Sequence, residues 1–219
     1  MRKIAVLFMT VLMAFSFCAC KKGFGAITKD AKKALSSTCG AKKATKDQYT
    51  LMADSKYSAV EQSGSFDTGA YAEIKKKDFS FFRFHTVLDT SKIKSVFKYL
   101  KVDQSTLDEE NNTVAVMEVL VVEFSSKEAA ASYYDSLKAS REKTYKDNAD
   151  LDTDMKNAFQ VEENHFGYAS ETEFMCSNVY GSVEGTTVVY VRLAGPVSPT
   201  LKSEYEAFMD KMGYAILKP

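Results

Sequence analysis

The sequence predicts an α+β fold: an antiparallel or mixed sheet with helices packed on one face, and a ferredoxin-like β-α-β-β-α unit in the C-terminal half. Three observations predict it. Runs rich in aromatic and β-branched residues alternate with segments of helical spacing, these segments open on capping residues, and an apolar hairpin turns at Glu184-Gly185. With 45% hydrophobic and 26% charged residues, the part of the chain beyond residue 19 can bury one sizeable core.

Taken in order, Ile27 to Thr38 reads as a helix ending at Gly40. Tyr49, Met52, Tyr57 and Val60 fall on one face of a second helix, and Glu61 to Ser65 reads as a loop. Phe79 to Leu88 is rich in aromatic and β-branched residues and reads as a strand. It leads to Thr90 or Ser91 as the cap of a helix carrying Ile93, Val96, Phe97 and Leu100. Thr113 to Phe124 is a longer strand, followed by the capping sequence Ser125-Ser126-Lys127-Glu128 and a helix with Ala130, Tyr133, Tyr134 and Leu137 on one face. Adjacent helical residues diverge by about 100°, so one of Tyr133 and Tyr134 is expected to face a groove. Phe174 to Val183 and Thr186 to Ala194 form the hairpin. The last helix has Ser198 as cap, Pro199 in its first turn, Leu201, Tyr205, Phe208 and Met209 buried, and Gly213 as its stop. Asp103 to Asn112 and Lys146 to Asp154 read as exposed connections, with Asp152 or Thr153 capping a short helix through Phe159.

The beginning of the chain has a different logic. Met1-Arg2-Lys3 precedes an apolar run from Ile4 to Phe17, and Ala19 precedes Cys20. A basic head, an apolar middle and a small residue form the plan of a secretory leader. The run is shorter than the roughly 17–25 residues needed to span a bilayer, and Lys21 and Lys22 follow at once, which makes a retained transmembrane anchor the second reading. The tetrad Phe17-Cys18-Ala19-Cys20 resembles bacterial prolipoprotein signals, with Cys18 as the competing site. That resemblance implies cleavage after residue 19, acylation of Cys20 by fatty chains such as palmitate, and attachment to the extracytoplasmic face of the cell membrane. Each buried methylene contributes about 0.8 kcal/mol, so two or three chains hold a protein where one does not. The expected organisation is a signal over 1–19, a lipid-anchored basic tether or short helix over 20–46, and a single α+β domain over 47–219.

Net charge is zero but unevenly placed. Lys21, Lys22, Lys29, Lys32, Lys33, Lys42, Lys43 and Lys46 face Asp30 alone between residues 21 and 46. Such a segment either lies against an anionic membrane surface or is a solvated tether, and the acidic remainder argues against nucleic acid as partner. Cys39 and Cys176 are the thiols beyond the leader region. Outside the cytoplasm they form a candidate disulfide, the alternative being two buried thiols.

Motifs that carry chemistry are few. G-x-S-x-G does not occur. Ser91-x-x-Lys94 and Ser140-x-x-Lys143 match a serine–lysine spacing without its companion motifs, which fits solvated surfaces. His85 and His165 lack zinc-ligand spacing. Asp150, Asp152 and Asp154, after Asp147 and Asn148, resemble part of a calcium loop. Met155 stands where that loop needs glycine, and Val161 where it needs glutamate, so the metal assignment is weak. Phe and Tyr are plentiful and Trp is absent, which lowers a sugar-stacking role. No cofactor and no catalytic residue is expected. The function predicted is a lipid-anchored extracytoplasmic binding module for a protein or small ligand. The alternative is a hydrolase or thiol-redox protein assembled from Cys39, Cys176, His85 and His165.

Overall fold

The structure, a computed structural model, describes residues 22–149 and 154–219. Helix α1 (Phe24–Thr38) is followed by strand β1 (Lys42–Lys43) and helices α2 (Lys46–Ala53) and α3 (Ala59–Gln62). Strands β2 (Ala70–Ile74), β3 (Ile93–Asp108) and β4 (Thr113–Phe124) lead to α4 (Lys127–Ala149). Strands β5 (Lys156–Val161), β6 (His165–Glu171), β7 (Met175–Glu184) and β8 (Thr187–Pro196) then precede α5 (Pro199–Met212). All eight strands form one sheet in the order β1-β2-β3-β4-β8-β7-β6-β5, parallel only between β1 and β2. The α+β class and the mixed sheet are as expected.

The layering is not. Helices cover both faces of the sheet, where one covered face was predicted. One face carries Val96, Leu100, Leu120, Val122 and Tyr190 under α2, the 79–88 segment and α4. The other carries Tyr99, Met117, Val119, Val191 and Leu193 under α1 and α5. β3 and β4 are therefore apolar on both sides, and their sequences lose the alternation that marks a half-exposed strand. This is why Ile93 to Leu100 imitates a helix. Ile93, Val96 and Leu100 belong to one face and Phe97 to the other, while the expected cap is a 3-10 turn, Thr90–Lys92, in which the Ser91 amide donates to Asp89.

Other elements also depart from expectation. Phe79 to Leu88 is irregular, not a strand; it follows a 3-10 turn, Lys76–Asp78, and folds Phe79 and Phe82 into the core. Asp103 to Asp108 extends β3 through an irregular register instead of forming a loop, and α4 runs on to Ala149. Lys156 to Phe159 belongs to edge strand β5, not to a short helix, and its half-exposed residues leave little pattern to read. The C-terminal half consequently runs β-α-β-β-β-β-α, two strands more than the ferredoxin-like unit. Tyr133 and Tyr134 are both buried, because α4 lies in a trough: Tyr133 meets Phe84 and Phe124 while Tyr134 meets Phe166.

Of the two readings of residues 20–46, tether or short helix, the described residues show the helix, and it packs into the domain. α1 buries Ile27, Ala31, Ala34 and Leu35 against the sheet and α5. Leu35 has no exposed surface, which is worth about 1.5–3 kcal/mol. Lys42 and Lys43 then add a short edge strand to β2. The hairpin and α5 match the sequence closely: Gly185 turns at φ 59°, Ser198 accepts from the Leu201 amide at 3.1 Å, and Gly213 ends the helix at φ 70°.

Candidate functional site

Three charged residues interrupt the apolar face beneath α2 and α4. Glu118 on β4 stands directly opposite Arg192 on β8, and diagonally from Lys98 on β3. All three therefore project from the same side of the sheet. The side chains of Glu118 and Lys98 are 5% and 9% exposed, values reached by charged groups only when they are paired. Glu118 Oε1 lies 3.4 Å from Lys98 Nζ, and Oε2 lies 3.7 Å from Arg192 Nε. The 79–88 segment adds the fourth member: His85 Nε2 is 2.9 Å from Oε2. That separation is within hydrogen-bond range, and the contact with the carboxylate offsets part of the cost of burying the ring.

Burial by itself would push the Glu118 carboxyl upward. The His85, Lys98 and Arg192 charges outweigh it and hold the group well below the usual 4.5, with Lys98 and Arg192 sustaining this at neutral pH. His85 moves the other way from most carboxylate-paired histidines: burial dominates, Arg192 and Lys98 reinforce it, and its pKa falls below 6.5 despite Glu118. The ring is thus neutral at pH 7 and packs against Tyr190, tilted by 32° at 4.5 Å between centroids. Lys98 also sits 5.1 Å over the Phe82 ring.

A cleft of about 310 Å³ opens over this cluster, walled by α2 and its following turn (Met52, Asp54, Tyr57), by Arg83 and by Leu100 and Val116. Arg192 lines the cleft with its side chain 29% exposed, while its Nε is buried without a hydrogen-bond partner. Charged side chains fixed at the floor of an open cleft mark a place where a polar group can bind. Sequence reasoning missed this site. Its only signal was a glutamate in the middle of a mostly apolar strand, with a lysine and an arginine in strands on either side.

The residues singled out from sequence do not come together. His85 belongs to the Glu118 cluster, whereas His165 is on the opposite face beside Glu162 and Tyr180. The candidate Cys39–Cys176 disulfide is not formed. Both are free buried thiols, Cys39 beside Thr38 and Tyr99 of β3 and Cys176 on β7, three strands away. Burial raises both thiols, which suppresses the thiolate that redox chemistry needs. Ser91 and Ser140 lie outside the cleft, and Lys143 pairs with Asp147. Cys20, Asp150 and Asp152 fall outside the described residues. Asp154 lines a second, larger cavity of about 540 Å³ with Lys156, Glu171 and Lys202. Among the described residues no group of three acidic, histidine or cysteine side chains is arranged to hold a metal.

No family model and no curated protein matches the chain. Among solved structures, the extracellular domain of PknH from Mycobacterium tuberculosis is similar at 13% identity and a TM-score of 0.34. The match covers 56% of this chain and 66% of that one, just under two thirds of the domain's length.

Proposed function

We propose that this protein is a lipid-anchored, extracytoplasmic binding module whose ligand occupies the cleft over Glu118. The observation that carries the reading is the buried charge cluster at the cleft floor, with the Arg192 side chain partly open to the cleft. Isolated buried charge is costly, and breaking such a cluster by removing one partner costs several kcal/mol. A site that keeps it in place and open has polar groups fixed in orientation before any ligand arrives, which lowers the cost of binding. Anchoring at Cys20 rests on the leader and its prolipoprotein resemblance. Among the described residues no helix is long and apolar enough to cross a membrane.

Two experiments test the two halves. Native mass spectrometry of the protein purified from its own host is expected to show a retained small molecule that is lost on Glu118→Gln; a species carrying no ligand in any preparation refutes the binding half. Intact-mass measurement is expected to show a chain beginning at Cys20 with acyl additions, and Cys20→Ser is expected to release the protein from the membrane. An unacylated or uncleaved chain refutes the anchored half.

A further inference from the structure

We propose that the cleft over Glu118 takes a small organic anion, a carboxylate or phosphate head on a short apolar body. The inference rests on the cleft being the binding site and goes further by naming the ligand class. Charge comes first. The cations facing the cleft are Lys98, Arg192 and Arg83, and the carboxylates are Glu118 and Asp54. Asp54 is already engaged, 3.2 Å from Lys56 Nζ and accepting from the Lys56 amide. Glu118 has both oxygens turned to protein groups and is 5% exposed, so it serves to hold the cations and not to receive a ligand. His85 is neutral. The cleft therefore presents positive charge in excess.

Geometry points the same way. Arg192 is 29% exposed and stands 3.7 Å from its nearest carboxylate oxygen; its Nε is buried, so the exposed part of the guanidinium is its terminal nitrogens. A guanidinium held by its neighbour yet short of acceptors is suited to a planar carboxylate or a phosphate, which it can meet with two parallel hydrogen bonds. Arg83 stands exposed at the mouth, and no carboxylate among the described residues lies in ion-pair range of it. Beside the cations on the sheet Leu100 and Val116 give an apolar floor, and Met52 of α2 adds to the apolar lining. At about 310 Å³ the space holds about ten non-hydrogen atoms, taking the roughly 30 Å³ that a water occupies in the liquid. Such a volume admits a head group with a ring or short chain.

The test is calorimetric titration of the full chain in detergent with four probes of matched size: benzoate, phenyl phosphate, benzamide and benzylamine. Binding of benzoate, phenyl phosphate or both, weakened about tenfold by Arg192→Gln and by a smaller factor by Arg83→Gln, supports the inference, and the stronger of the two names the head group. Arg83 is at the surface, so its variant remains informative if Arg192→Gln misfolds. Anion binding that neither variant weakens overturns the assignment. Equal binding of benzamide, or preference for benzylamine, also overturns it while leaving the cleft as a binding site. Binding of no probe of any charge overturns it and removes the cleft from the proposed function as well.

Discussion

Replacing Glu118 by glutamine changes one atom of the core and tests whether a single buried carboxylate organises the cleft. At neutral pH the carboxylate faces Lys98 at 3.4 Å and Arg192 at 3.7 Å, and the amide would remove the charge while keeping the volume. Arg192 still reaches solvent, but the Lys98 side chain, 9% exposed, would be left in the interior without a counter-charge. Breaking a buried pair from one side costs about 3–5 kcal/mol. For a domain of about 200 residues, with an unfolding entropy near 2.1 cal/mol/K per residue, that corresponds to a fall in Tm of about 7–12 °C. Thermal and urea unfolding at pH 7, followed by circular dichroism, measure it. The companion Lys98→Met should be less damaging in the Glu118→Gln background than alone, because the second change removes the charge stranded by the first. A loss below about 1 kcal/mol for Glu118→Gln, or strict additivity of the pair, would refute the claim that this carboxylate holds the cations.

Acid should unfold the protein in two successive windows. His85 has a folded pKa below its ordinary 6.5, so the unfolded chain takes up the proton first and stability falls as pH drops below 6.5. Glu118, held below 4.5, adds a second loss as pH falls beneath that value. Both contributions are fully present above their unfolded values, and His85→Gln should abolish the upper window and weaken the lower one, as read from urea midpoints across pH. Gly181→Ala should cost about 1–3 kcal/mol, since an added Cβ would enter the space of the Phe166 ring; an unchanged urea midpoint would show that the ring yields freely. Ser198→Ala should cost about 1–2 kcal/mol, because that hydroxyl both caps α5 and donates to Asp103 at 2.5 Å; restoration by threonine would confirm the cap. Alkylation without reductant should label neither Cys39 nor Cys176 in the folded protein and both in denaturant, and protection that persists in denaturant would demonstrate a bridge.

What the sequence shows well is what chemistry writes locally. Ser198, Pro199 and Gly213 punctuate α5, the Glu184-Gly185 turn marks the hairpin, and Thr113 to Phe124 matches β4 residue for residue. What it hides depends on distant partners. β3 imitates a helix because helices on both faces of the sheet bury both of its sides. β5 is illegible because an edge strand with half-exposed residues obeys no strict alternation. The cleft is hidden for a related reason. Lys98, Glu118 and Arg192 are twenty or more positions apart in the chain, and only the β3-β4-β8 order makes them neighbours.

The outer margin of the sheet has a consequence for how copies of this chain meet one another. At one border stand Lys42 and Lys43, exposed and only two residues long, and beyond them β2 offers just the stretch from Ala72 to Ile74. At the other border β5 is six residues long, opens on Lys156 and is followed by Glu162 and Glu163. An unpaired border is an invitation to strand exchange between molecules, and short, charged borders withdraw it. At these two positions the lysines act against self-association, because a second copy adding its own strand there would meet like charge.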